Sequence, residues 1–197
     1  MLFSLAVSVG ETIVETIYDT IEELAKPYLD TRQNEAHVAI CYRMAKRLLA
    51  RYPEADPGVV LPAILLHDVG WKMVPEERQK HAFGPYAKDM EARRIHEVEG
   101  VRIAKEILDS IGYDPAKTAE ILIIIDGHDS REEALSLNDA LVKDADKLFR
   151  FDPEGFDIDY KRFGLEKLKY ASHLRRIIDK WFFTVAAKEF AHEGLDW

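Results

Sequence analysis

Apolar residues recur along this chain every third or fourth position, not every second one. Ile13, Ile17, Ile21 and Leu24 trace one stripe, and Ser8 followed by Glu11 has capping-box spacing, so a first helix is expected over roughly 9–29. A second begins near Asn34 and carries Ile40, Cys41, Met44, Leu48 and Leu49 on one face, with Lys46, Arg47 and Arg51 outward. Asp56-Pro57 reads as N-cap and first residue of a third helix that ends around His67-Asp68 and Gly70, with Pro62 bending its start. Residues 71–85, WKMVPEERQKHAFGP, have no clean period and predict the longest loop. A fourth helix covers about 87–111 and stops at Gly112. Asp114-Pro115 opens a fifth, whose run Ile121-Leu122-Ile123-Ile124-Ile125 is apolar all round and so predicts a central position. The same run would suit a buried strand, but nothing else in the chain offers it a partner. A sixth helix, about 138–150, follows Ser136; FDPEGFDID reads as a loop, and a long helical segment covers about 160–192. With no internal repeat, low-complexity tract or linker, the expectation is a single all-α domain over 1–197, its last part, 151–197, a helical extension.

Composition narrows the partners. The 197 residues carry a formal net charge of -9 and no basic run, a poor match to nucleic-acid polymers or anionic membranes. A small phosphorylated ligand held through metal stays open, as does a homodimer. The start, MLFSLAVSVGETIVE, is too short to span a membrane and lacks the basic residues of a secretory signal, so a cytoplasmic protein is expected. Cys41 is the single cysteine; it leaves no partner for an intramolecular disulfide, and any metal would be held by His and carboxylates.

The unusual positions are ionisable groups on apolar faces. His37 lies in line with Cys41, Met44 and Leu48, and His67-Asp68 ends a greasy helix. His96 follows Ile95, His128 closes the isoleucine run, and Asp146 borders the stripe Leu141, Ala145, Leu148. A single histidine on such a face is more often a core residue bonded to a backbone carbonyl, and Asp68 alone would serve as a helix-end acceptor. Five successive helices each delivering a metal-competent group is a different matter, because buried carboxylates are costly unless paired or metal-bound. His81, His173 and His192 lie in a loop or on charged helices and read as surface residues.

The order His37 … His67-Asp68 … Asp146, with the flanks AILLHDVG and LVKDADKL, resembles the HD superfamily of metal-dependent phosphohydrolases over roughly 34–150. The resemblance implies an HD-domain helical bundle in which His37, His67, Asp68 and Asp146 hold one divalent transition metal (Fe, Mn, Co, Ni or Zn). It also implies that Asp68 can bridge to a second ion, with His96 and His128 where the two-metal branches keep their extra ligands. The family pattern selects Asp146 over Asp144, which would support a ligand or lie at the surface.

Hydrolysis of a small phosphoester, a nucleotide or dinucleotide, follows as the leading expectation, since paired metals generate hydroxide and neutralise a phosphoryl oxygen. Asp68 is its central residue, Asp129 is a proton acceptor or a turn cap, and Lys72 and Arg131 are phosphate contacts or solvated loop charges. The arrangement is similar to that of symmetrical dinucleoside-tetraphosphate hydrolases. The later double histidine and HDIGK of the cyclic-dinucleotide phosphodiesterases are absent, and Trp71 stands where the deoxynucleotidase branch has its glutamate. Two other readings use the same ligand set: the diiron oxygenases of this fold, and a metal-binding module without catalysis.

Overall fold

The computed structural model describes residues 6–84 and 87–196, with side chains from residue 17 onward; the apolar residues 1–5 fall outside it. Every regular element among the described residues is helical. In chain order they are α1 (Ala6–Leu29), α2 (Asn34–Leu49), α3 (Pro57–Leu66), a 3₁₀ turn (Val69–Met73), the one-turn α4 (Glu76–Gln79), α5 (Met90–Ser110), α6 (Pro115–Ile125) and α7 (Leu137–Leu148). A second 3₁₀ turn (Phe149–Phe151), α8 (Pro153–Arg162), α9 (Lys167–Trp181) and α10 (Val185–Gly194) complete the order.

Short polar side chains start most of these helices by accepting otherwise orphaned backbone N–H groups. Asp56 accepts from Gly58 N at 2.7 Å, Asp114 from Ala116 N and Lys117 N at 2.9 Å, and Ser136 from Asp139 N at 3.1 Å. The same device explains where the expected boundaries fail. Asp152 accepts from Glu154 N at 3.0 Å and starts α8 at Pro153, inside the stretch expected to be a loop. The expected long C-terminal helix is three helices. Gly164 turns left-handed at φ 61° after α8, and Thr184 opens α10 by accepting from Ala187 N at 3.3 Å.

Residues 58–66 of α3 are buried throughout, so this helix is the centre of the bundle, packed by α2, α6 and α7. α6 is less central than its apolar run suggested, because Ile123 is 53% exposed. One hydrophobic core runs from Tyr18 to Leu195 and includes residues of all the long helices. A small satellite of Trp71, Val74, Ala82 and Ala92 lies under the 71–84 segment, which is more ordered than a plain loop. One close approach joins the first 3₁₀ turn to α5. A Cβ on Gly70 would fall 1.9 Å from the His96 carbonyl oxygen and 2.4 Å from the Gly100 nitrogen.

Candidate metal centre

Helix ends and faces bring the ionisable residues together at one place. His37 comes from the first turn of α2, His67 caps the C-terminus of α3, and Asp68 leads into the 3₁₀ turn. α5 supplies His96, the turn after α6 supplies His128 and Asp129, and α7 supplies Asp146. His37 Nε2 lies 3.1 Å from His67 Nε2, 3.4 Å from Asp68 Oδ2 and 3.2 Å from Asp146 Oδ1. His96 Nε2 lies 3.2 Å from His128 Nε2, and both are within 3.9 Å of Asp68 Oδ1. Asp68 therefore stands between two histidine pairs, and Asp129 Oδ2 approaches the second at 3.6 Å from His96 Nε2.

These atoms fit a divalent cation. Ligands held by one ion at about 2.1 Å and about 90° apart lie about 3 Å from each other, the spacing of both histidine pairs. His67 Nδ1 donates to Ile64 O at 2.7 Å and His128 Nδ1 to Ile125 O at 2.9 Å, which leaves each Nε2 to face the centre. Three overlapping groups could each hold an ion: His37, Cys41, His67 and Asp146; His67, Asp68 and His128; and His96, His128 and Asp129. Cys41 was not expected among them; its Sγ lies 3.6 Å from His37 Nε2, and burial pushes its thiol pKa up, which disfavours the thiolate.

Electrostatics favour ligand-ready forms. Burial acts to raise the Asp68 and Asp146 pKa values, but the surrounding histidines outweigh it and hold both carboxylates ionised. Burial lowers the His67 pKa, and burial together with His128 lowers that of His96 to about 4, which favours the neutral ring at each. Burial also opposes charge on His128, yet the nearby carboxylates of Asp68 and Asp129 raise its pKa to about 10. The proton shared by the second pair thus resides on His128, where a metal ion would displace it.

A family model for the HD domain matches residues 35–150, more than half of the chain and the whole of this centre. The chain belongs to the HD domain family. Comparisons with curated proteins and with solved structures gave no match. His37, Asp68, His128 and Asp146 line a cleft of about 680 Å³ that also carries Arg32, Arg131, Lys143, Lys147 and Arg150, with Trp71, Phe83 and Trp181. No helix of the described residues is long and apolar enough to cross a membrane.

The supporting residues are mostly not those expected. Asp129 and Arg131 both line the cleft, Arg131 paired with Asp139 at 2.9 Å. Lys72 does not line it and is bonded to Asp30 at 2.5 Å. His173, expected at the surface, is exposed but on the cleft wall. Asp144 is fully buried, and it accepts from Phe183 N, Thr184 N and Thr184 Oγ1 at 2.8–2.9 Å. Glu97, fully buried beside His96, accepts from Asp129 N at 3.1 Å, Ser130 N at 2.8 Å and Ser130 Oγ at 2.7 Å, and so fixes the turn that presents His128. Trp71 Nε1 donates to Asp68 Oδ1 at 3.0 Å while its ring stacks on His96 at 4.0 Å. Its place three residues after Asp68 was the one available signal for this role.

Proposed function

We propose that this HD domain is a phosphohydrolase acting on a small phosphoester, a nucleotide or dinucleotide, with two divalent transition-metal ions. His37, His67, Asp68 and Asp146 would hold one, and His96, His128 and Asp68 the other. Bound there, the ions would supply a nucleophile from water at neutral pH and neutralise charge on the phosphoryl oxygens. The observation that carries the reading is the joining of this centre to a cleft with cationic and aromatic walls, which suits a phosphorylated and ring-bearing substrate. Asp129 lies beside His96 with its side chain 31% exposed, placed to accept a proton from a water in the cleft. Lys143 plays a different part: its Nζ donates to the carbonyls of Gly127, His128 and Arg131 and fixes their loop.

The test is metal analysis of protein purified without chelator, followed by phosphate release from a panel of nucleotides and dinucleotides with oxygen uptake recorded in parallel. Two equivalents per chain and phosphate release are expected, and His96→Ala should keep one equivalent and lose turnover. Oxygen uptake with reduced iron and no phosphate release would overturn the reading in favour of an oxygenase. Bound metal with neither activity would leave a binding module.

A further inference from the structure

Arg32 has no place in the ligand set, yet it lies against it. The residue belongs to the link between α1 and α2, where it and Gln33 both adopt left-handed backbone at φ 54° and 60°. That conformation is uncommon for residues with a side chain and persists where surrounding contacts hold it. Here the contacts are aromatic: Cζ of Arg32 lies 4.0 Å from the Trp71 ring centroid and 3.7 Å from that of Phe83. Two rings against the guanidinium faces leave its in-plane N–H groups as the only ones free to make hydrogen bonds.

Those groups have no partner. Arg32 Nε and Nη1 are shut off from solvent and make no hydrogen bond, and Arg32 forms no ion pair among the described residues. Burial lowers its pKa to about 10, which still leaves it charged at neutral pH. A desolvated, unpaired cation is costly, and the surroundings add to the cost. Arg162 donates to the Arg32 carbonyl at 2.6 Å, and Arg150 and Arg162 share the single carboxylate of Asp159 at 3.2 and 3.4 Å. Two guanidiniums therefore share one carboxylate, and Arg32 beside them is offset only by the charges of Asp68 and Asp129, with no acceptor on its own N–H groups. The missing element is an anion.

We propose that Arg32 is a substrate-binding residue that takes non-bridging oxygens of a phosphoryl group through its Nη1–H and Nη2–H edge, beside the metal centre. Arg32 lines the same cleft as Asp68, His128 and Asp129, and its fork suits a tetrahedral oxyanion. Trp71 joins the two parts, since it carries the guanidinium and donates to the carboxylate between the histidine pairs. The identity of the anion rests on the phosphoester reading; the existence of the site does not.

Inorganic phosphate is the probe. Its affinity for the metal-loaded protein is measured by calorimetry for the parent, Arg32→Lys and Arg32→Gln, together with metal content and melting temperature. Loss of a two-bond, charge-assisted contact should weaken phosphate about 10–100-fold in Arg32→Gln. Arg32→Lys keeps the charge without the fork and should fall between the two. Both variants should retain the parent's metal equivalents, which separates this role from a merely structural one. Phosphate affinity within twofold of the parent in a folded, metal-loaded variant overturns the proposal, and Arg32→Lys decides it if Arg32→Gln does not fold. If no phosphoester is hydrolysed by the parent but phosphate still depends on Arg32, the hydrolase reading fails and the anion site stands. Turnover in Arg32→Gln with unchanged KM and phosphate affinity has the opposite meaning.

Discussion

Asp68 touches all four histidines of the centre and the Trp71 indole, so its removal has two separable effects. Asp68→Ala deletes a proposed ligand and leaves the buried Trp71 N–H without an acceptor, a loss of about 1–3 kcal/mol even without metal. Asp68→Asn removes the charge but keeps an oxygen for the indole. The expected result is that both variants lose metal-dependent turnover and most of the rise in melting temperature on adding metal, whereas Asp68→Asn recovers part of the metal-free stability. An undiminished metal-induced shift in Asp68→Ala would show that Asp68 is not a ligand. At this scale the histidines were legible because polar groups on apolar faces stand out in a sequence. Arg32 and Arg150 were not, because their meaning depends on Trp71, Phe83 and Asp159, which only tertiary folding brings to them.

Elements act through their spacing, and the first 3₁₀ turn lies close against α5. All three atoms nearest a Cβ on Gly70 belong to the α5 backbone, so no side-chain rotation relieves the clash. Gly70→Ala should therefore push α5 away, cost about 1–3 kcal/mol, and move His96 relative to His128 while leaving His37, His67 and Asp146 in register. If two ions bind as proposed, metal analysis should find one equivalent retained and the other lost. Two equivalents with an unchanged melting temperature would mean that the clash is absorbed elsewhere. Glycines also explain what was hard to read. Asp-Pro opened helices correctly at 56–57 and 114–115, but at 152–153 the stretch around Gly155 read as a loop. Its actual role is packing: a Cβ there would lie 2.0 Å from the Phe149 carbonyl oxygen. Gly164, by contrast, is a true break with its φ of 61°. Periodicity gives helices, but it does not distinguish a glycine that ends one from a glycine that lets one approach its neighbour.

At the scale of the whole molecule, α7 joins the metal centre to the C-terminal helices. Asp146 faces the histidines, while Asp144 holds the Phe183–Thr184 turn and Lys147 Nζ donates to Trp181 O at 2.7 Å. Asp144→Ala would leave buried donors unmatched, so a loss of roughly 3 kcal/mol is expected, with metal content unchanged because Asp144 touches no ligand atom. Metal removal should give the reverse signature. Each ion binds only the folded state, so at a free concentration about 100-fold above its Kd it adds about 2.7 kcal/mol. For a chain of this length about 2–4 °C of melting temperature corresponds to each kcal/mol, so chelation should lower the midpoint by about 5–11 °C per ion. Chelator should shift the parent and Asp144→Ala alike and leave Asp68→Ala nearly unmoved. A parent midpoint that ignores chelator, in protein shown beforehand to contain metal, would mean that these histidines and carboxylates hold no ion that matters to the fold. Their convergence at the base of a cationic cleft would then need an explanation in which the cleft, and not the metal, comes first.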